Sequence, residues 1–423
     1  GLVLSEFHGA ETWLEVGIQR VLQASRTVMP DGTDLEYSIN YNANFVHKVD
    51  QLNALYDGPG QQWPEWLQEL NKKNDRLIRM YGAIVMPNGA FPSVGNQSYE
   101  VVRPRQLLEG WLGRGVSGLA DMYSAIHRRP DDPSPPPRFS SIALPFAGYY
   151  VQRQGWGASD LYLFMKSSRP GAGHRHADNN GIQMVAFGRH LLVDCAAPPY
   201  GPQFLPEDQR VDHMWLGEDG YYGSSFSACT VVVDGCSQKK PPKVQPDRGY
   251  VTTIGSRWHS SSRFDLTEGE FADGYRSDKP LTEEKIEELV VGYGHKALGK
   301  MIEKNKTLRR DLKEVDARHH RQIMFIKEAG FWIVTDRIEG GSRYTQIWNL
   351  PPPHEGENSD NYICPGFSPG QVRFDEDEKW LQTIDPRDAN VALRHFIDSP
   401  LSYELKFGEK YPFRGWFSFG IGG

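Results

Sequence analysis

The chain has 423 residues, of which 39% are hydrophobic and 24% charged, a composition typical of globular proteins that contain two or three domains at this length. Its formal net charge is −7, and without a concentrated basic stripe it does not fit a nucleic-acid-binding protein, although a local cleft can still hold an anionic ligand. No apolar run approaches the roughly 20 residues that span a bilayer, and the four cysteines are too few for a disulfide scaffold.

The first 128 residues are expected to be helical. Apolar residues recur with amphipathic spacing in segments that begin with ETWLEV at 11, NYNANF at 40, WPEWLQ at 63 and RPRQLL at 103. Turn sequences such as PDG at 30–32 and PNG at 87–89 separate these segments. The pattern predicts antiparallel helix pairs joined by loops.

A proline-rich stretch, RRPDDPSPPPR at 128–138, marks the predicted domain boundary, with the linker at 129–138. Prolines cannot continue a helix, and they stiffen a linker. Residues 139–423 then contain short runs rich in β-branched and aromatic residues, which predict a large antiparallel β-sandwich with a charged helical insertion near 281–314. The predicted fold class is therefore a multidomain α+β protein.

The segment GAGHRHADNNGIQMVAFGRHLLVD at 171–194 concentrates histidines and aspartates. If it is a strand, alternation places His174, His176 and Asp178 on one face, and a tight turn brings Asp194 back beside them. Imidazoles and a carboxylate are suitable zinc ligands. The alternative is a surface hairpin whose polar groups only form hydrogen bonds.

A second polar segment, MPDGTDLEYSINYNANF at 29–45, leads from a turn through acidic residues into a helix. It places Tyr41 and Asn42 near the start of that helix, where loops open onto a cleft. Helix capping with one core tyrosine is the alternative interpretation. A third segment, MPNGAFPSVGNQSYE at 86–100, is another turn-rich loop between helices.

Taken together and in this order, these stretches resemble the heparinase II/III-like polysaccharide lyases, including related alginate and oligoalginate lyases. The resemblance rests on PDGTDLEYSINYN, PNGAFPSVGN, GYYVQRQGW, GHRHADNNGIQMVAFGRHLLVD, CTVVVDG, HHRQIMFIKEAGFWIVTDRI and RGWFS. It implies a partial (α/α) toroid of helix pairs followed by an antiparallel β-sandwich. It also implies β-elimination at a uronic acid of an anionic polysaccharide or oligosaccharide.

Carried over residue by residue, the resemblance makes Tyr41 the catalytic tyrosine, acting as base, acid or both, and His174 the histidine that points into the cleft and assists it. Asn42, Arg153 and Tyr200 are candidate substrate-binding residues. For Arg153 and Tyr200, a packing role is the alternative.

The resemblance also implies that His176 and Asp194 are two ligands of a zinc ion. The third ligand of the family is a histidine at a position that Ala228 occupies here. Cys229 is a neighbouring thiol expected on the opposite face of its strand, and His213 is a second source of a ligand. A metal-free site held by hydrogen bonds is the remaining alternative.

Two other functions are compatible with the sequence. One is an inverting glycoside hydrolase with Asp31, Asp34 and Glu36 as its carboxylates, and the other is a catalytically silent carbohydrate-binding protein. The family's upstream Asn-His pair has no counterpart after Gly1, so we expect a segment of a longer enzyme. A secreted or periplasmic location is expected for a polymer-degrading enzyme, although residues 1–20 show no signal peptide. The oligomeric state is left open.

Overall fold

The structure is a computed structural model. It describes the chain except for residues 1–4, 59, 96–101, 128–136, 170, 172, 175, 195–222, 240–249, 277–312, 352–365, 376, 387, 397–400, 408–414 and 423. In the described part, helices precede antiparallel sheets, which confirms the mixed α+β class. The predicted linker and insertion lie mostly outside this part, at 128–136 and 277–312.

The α-helices form where the amphipathic spacing predicts them. They are α1 (Ala10–Ala24), α2 (Ile39–Ala54), α3 (Glu65–Ile84), α4 (Val102–Leu112) and α5 (Leu119–Ile126). The segment that begins at 103 was expected to be one helix but is two, because Gly115 and Gly118 adopt left-handed backbone angles between them. Among the helices that the structure describes, none has the length and apolarity needed to cross a membrane.

Strands follow from residue 142 onward and pair antiparallel throughout the described ranges. They are β1 (Ile142–Leu144), β2 (Tyr149–Arg153), β3 (Tyr162–Lys166), β4 (Gly181–Ala186), β5 (Arg189–Leu192), β6 (Val231–Val233), β7 (Ser237–Gln238), β8 (Trp258–Ser260), β9 (Phe264–Phe271), β10 (Tyr275–Arg276), β11 (Glu314–Val315), β12 (Arg318–Ile326), β13 (Phe331–Glu339), β14 (Arg343–Asn349), β15 (Val372–Asp375), β16 (Trp380–Thr383), β17 (Ala392–Arg394), β18 (Leu401–Phe407) and β19 (Gly415–Gly422).

The five strands β1 to β5 pair in sequence order and form the middle layer of the molecule. Alternate residues of β3 show why both faces are buried. Tyr162 and Phe164 pack into a core shared with the helices, whereas Leu163 and Met165 pack into a second core with β12. This sheet therefore connects the helical region to the sheet of β8, β9, β12 and β13.

Side chains of this sheet bind the last carbonyl groups of α3. The Arg153 Nη2 donates to the carbonyl oxygens of Ala83 at 2.7 Å and Val85 at 3.0 Å, and the Tyr162 hydroxyl donates to that of Ile84 at 2.7 Å. Carbonyls at a helix C-terminus have no partner within the helix. The contacts therefore fix α3 to β2 and β3.

The loop after α3 is held by the same sheet. The Gln183 side chain accepts from the Ser93 N–H at 2.9 Å and donates to the Ser93 carbonyl at 2.6 Å. Nearby, Asn88 Nδ2 lies 2.7 Å from His190 Nδ1, and burial lowers the pKa of His190 to about 3, so its ring is neutral. The loop at 86–95 is thus built into the sheet surface, next to the residues described below.

Candidate active site

The structure brings Tyr41 and His174 into direct contact. Tyr41 lies in the first turn of α2, and His174 lies in the loop between β3 and β4. Their rings are stacked, with centroids 4.0 Å apart and planes at 9°. Both side chains remain partly accessible. Two groups that can carry protons therefore meet where the helical region adjoins the first sheet.

Glu36 fixes the orientation of His174. Its Oε1 lies 2.7 Å from His174 Nδ1, and the side chains are 33% and 22% exposed. An ionised carboxylate only accepts hydrogen bonds, so this contact places a proton on Nδ1 and makes Nε2 the ring nitrogen that can take up or release a proton. A carboxylate that orients a histidine in this way is a recurrent arrangement in acid-base catalysis.

The acidic residues before Glu36 hold the turn in place. Asp34 accepts from the Glu36 N–H at 2.9 Å and from the Thr27 hydroxyl at 2.6 Å, and burial raises the pKa of Asp34. Asp31 accepts from the Phe146 N–H at 2.9 Å. These two carboxylates form structural hydrogen bonds, which weighs against the glycoside-hydrolase interpretation, in which they supply the paired catalytic groups.

The strand predicted through His174 and His176 is wrong. β4 begins only at Gly181, and the described residues of 171–180 form a loop. His174 has a φ of 44° and Asn180 one of 57°, which are left-handed values that a strand does not contain. Strand alternation therefore does not place His174, His176 and Asp178 on one face.

Gly95 allows the loop to pass closely under His174. A Cβ at this position would overlap the carbonyl oxygen of His174 and lie 2.8 Å from that of Tyr37. The φ of Gly95 is also positive, at 61°. Only glycine fits such an approach without displacing backbone. The loop at 86–95 thus packs against the backbone of His174 and Tyr37.

The three predicted substrate-binding residues have different outcomes. Asn42 is buried, and it points about 100° away from Tyr41 on the helix, so contact with a polymer is disfavoured. Arg153 is fully buried, with its guanidinium 4.0 Å above the Trp156 ring and its pKa lowered by burial to about 10. The burial of Arg153 weighs against its predicted substrate role and favours the alternative packing role. Tyr200 lies outside the described residues.

The two predicted zinc ligands, His176 and Asp194, are both buried. Ala228, at the third position, is buried against Gly181, whose added Cβ would lie 3.6 Å from the Ala228 Cβ. Within the ranges that the structure describes, no three His, Cys, Asp or Glu residues are grouped so that they could hold a metal ion. These residues therefore do not fit a zinc ion by themselves, and His213 lies in the segment that is not described.

Cys229 does not supply the missing ligand. Its Sγ accepts from the Asn349 N–H at 3.1 Å, and its thiol donates to the Val193 carbonyl at 3.4 Å. Burial raises the pKa of this thiol to about 12, so it stays protonated. Zinc binds the thiolate form of cysteine.

A charged lysine lies among the acidic residues of this region. Lys166 Nζ is 2.5 Å from Asp178 Oδ1, and both side chains are about 95% buried, at 5% and 4% exposure. Asp194 is near both: burial and the Asp178 carboxylate raise the pKa of Asp194, and the Lys166 ammonium lowers it in part. The site therefore already contains a cation.

Sequence reasoning did not assign roles to Glu36 in this site, to Gly95 or to Lys166. Glu36 was visible as the acidic residue five positions before Tyr41, at the end of a turn that precedes a helix. Lys166 was visible as a charged residue at the end of an apolar strand, YLFMK. Gly95 gave the weakest signal, because a glycine in a loop does not reveal which segment packs against it.

Comparison with known proteins gives a consistent result. Residues 136–398 match the heparinase II/III-like, C-terminal family. The heparin-sulfate lyase of Pedobacter heparinus is 24% identical over 204 residues, which is 47% of this chain and 30% of that protein. A crystal structure of a mutant of heparan sulfate lyase HepC from Pedobacter heparinus superposes with a TM-score of 0.63 at 17% identity, covering 100% of this chain and 55% of that one. A crystal structure of heparinase III gives a TM-score of 0.62 at 14% identity, covering 99% of this chain and 56% of that one.

The chain thus spans about half the length of these solved structures. At such low identities the superposition shows the fold, in which helices precede antiparallel sheets. The contacts among Tyr41, His174 and Glu36 are seen in the structure of this chain and are not taken from the superposed proteins.

Proposed function

The chain belongs to the heparinase II/III-like family, and from that premise we propose that it is a polysaccharide lyase acting on a uronic-acid-containing polysaccharide by β-elimination. The contact of Tyr41, His174 and Glu36 is the observation that carries the proposal. Tyr41 acts as the acid and base, His174 assists it, and Glu36 is the residue that positions His174.

In this reaction a base removes the proton from C5 of the uronate, and the electron pair forms the C4–C5 double bond while the C4–O bond breaks. An acid gives a proton to the departing glycosidic oxygen. Two proton carriers in direct contact suit these two steps, because the proton leaves C5 and the glycosidic oxygen departs from the adjacent C4. No water molecule attacks, so paired carboxylates that activate water are not needed.

Glu36 makes the imidazole of His174 effective in two ways. It fixes the ring so that Nε2 is the exchanging nitrogen, and its negative charge stabilises the imidazolium that forms when Nε2 takes up a proton. A positively charged His174 ring stacked on Tyr41 also stabilises a phenolate at Tyr41. A positive charge on His174 and a negative charge on Tyr41 can therefore stabilise each other during the elimination.

The substrate is proposed to be an anionic polysaccharide or oligosaccharide, with heparin- and heparan-sulfate-type polymers as the first to test. Relatives named heparin-sulfate lyase and heparan sulfate lyase support this choice. The uronate carboxylate must be neutralised by hydrogen-bond donors while charge builds up at C5. The family resemblance implies an Asn-His pair for that role, with His174 assisting.

Finer features of the architecture and cell biology remain part of the proposal. We infer that the helices form part of an (α/α) toroid and that the facing sheets form a β-sandwich. The face-to-face core between the first sheet and β12 supports the latter. A secreted or periplasmic location is proposed because the substrate is a polymer.

The test is a panel of uronate polysaccharides incubated with the purified protein, with ultraviolet absorbance of the products as the readout. Elimination creates an unsaturated uronate that absorbs in the ultraviolet, and hydrolysis does not. We expect at least one polymer to give the signal and the Tyr41→Phe variant to lose it by about 10²- to 10⁴-fold, the usual contribution of a general acid or base. Absence of signal from every polymer would favour a silent carbohydrate-binding protein.

A further inference from the structure

We propose that the buried ammonium of Lys166 is the resident cation of the His176 and Asp194 site, in the place that the family resemblance gives to zinc. In this arrangement Lys166 neutralises the buried acidic residues, and metal content rather than lyase activity is the first readout. Lys166 contacts Asp178 directly, and its charge lowers the pKa of Asp194 in part.

The strand pairing brings these residues together. Lys166 is the last residue of β3 and pairs across the sheet with Gly181, the first residue of β4. Gly181 donates its N–H to the Asp178 carbonyl at 3.0 Å and lies against Ala228. The Lys166 side chain therefore emerges beside the position where the third zinc ligand would stand, and its Nζ contacts Asp178 at 2.5 Å.

Two buried acidic residues in this region favour a nearby cation. Asp178 and Asp194 are both buried, and the Asp178 carboxylate raises the pKa of Asp194 while the Lys166 ammonium lowers it. An ammonium group supplies one positive charge and three donors, which suits carboxylate oxygens. A zinc ion placed beside this ammonium would add like charge in a region of low polarity, where repulsion is strong.

The substitution at position 228 is consistent with this arrangement. A zinc site requires a third donor, and alanine at this buried position next to Gly181 has none. Cys229 cannot replace it, because its thiol is already hydrogen-bonded to the Asn349 N–H and the Val193 carbonyl. A site with Lys166 and Ala228 thus has a cation but lacks a full set of metal ligands among the described residues.

The ammonium has a structural consequence for the catalytic loop. Lys166 and Asp178 lie at the two ends of the segment that carries His174, so their ion pair closes the base of that loop. The catalytic role of His174 rests on the proposed function. The proposal that Lys166 stands in the place of zinc does not, so the two can fail separately.

The experiment measures zinc per chain by elemental analysis and the melting temperature with and without a chelator, after growth and purification with zinc present. We expect far less than one zinc per chain in the wild type, and a melting temperature that the chelator does not change. Lys166→Met should lower the melting temperature by about 5 °C, because it leaves Asp178 buried without its partner.

A gain-of-metal pair makes the test specific. Ala228→His alone should not bind zinc, because the ammonium remains, whereas Ala228→His with Lys166→Met should bind one zinc per chain and become sensitive to the chelator. Lys327→Met is the matched control, since Lys327 forms a comparable buried pair with Asp265 at 2.9 Å. Combined with Ala228→His, it should lower stability without any gain of zinc.

One zinc per chain in the wild type would overturn the proposal. Loss of that zinc in His213→Ala would then identify the ligand that completes the metal site. Zinc binding by Ala228→His alone would equally contradict it, since the ammonium would not be excluding the metal.

Discussion

Replacing Glu36 by glutamine tests the positioning of His174 in isolation. The amide keeps the shape of the side chain but removes the charge that faces Nδ1 at 2.7 Å. A hydrogen bond to a charged group contributes about 1.5–3 kcal/mol, and each 1.36 kcal/mol corresponds to a tenfold rate change, so the loss is about 10- to 150-fold. Glu36 is one-third exposed, which weakens the interaction and favours the lower half of that range.

The assay is the initial rate of ultraviolet absorbance on the best polymer from the panel, fitted for kcat and KM. We expect the fall in kcat, a KM within about threefold of wild type, and a melting temperature lowered by at most a few degrees, because glutamine still fills the partly exposed position beside His174. Glu270→Gln makes the same chemical change at an exposed position of β9 and should have no effect. Wild-type kcat in Glu36→Gln would refute the positioning role, and so would a loss that follows only from lower thermal stability.

Three further variants test other parts of the structure. Gly95→Ala should displace the His174 loop, lowering stability by about 1–3 kcal/mol and activity by about 10²-fold; equal activity in both proteins would argue against the close packing. Arg153→Met should lower the melting temperature while leaving KM unchanged at low temperature, since the side chain holds α3 rather than substrate; a raised KM with normal stability would restore the substrate role. Asp336→Asn should cost about 3–5 kcal/mol in denaturant unfolding, because Asp336 pairs with buried Arg321. Burial opposes the ionisation of Asp336, but the Arg321 charge outweighs it and holds the pKa well below its usual value. Its contribution is therefore present above about pH 4 and lost as the pH falls further, and the variant should lack that part of the acid dependence.

The sequence predicted the order of helices and strands because that order depends on local patterns. The amphipathic spacing placed α1, α2 and α3 within a few residues of their observed bounds. The failures share a physical cause. The strand predicted through His174 required extended backbone, and the left-handed φ of His174 depends on packing against Gly95, which lies about 80 positions earlier in the chain.

Contacts between distant segments account for the rest of the site. Tyr41 and His174 were predicted to share a cleft from family resemblance, but their stacking could not be read from spacing. An arginine is a common contact for an anionic substrate, but Arg153 has the environment of a core residue. Only its burial distinguishes the packing role from the substrate role. Lys166 is similar, because a lysine at a strand end is usually exposed and here it pairs with Asp178.

Product analysis in water enriched in heavy oxygen distinguishes elimination from hydrolysis at the bond that is cut. A cleaved uronate polymer is separated by size, and the mass of each new chain end is measured for wild type and for Tyr41→Phe. We predict fragments that contain an unsaturated uronate, are lighter by one water than hydrolysis products and carry no heavy oxygen, and we predict that Tyr41→Phe abolishes them. Saturated ends that carry one heavy oxygen, or unsaturated ends formed at the wild-type rate by Tyr41→Phe, would contradict the proposed mechanism.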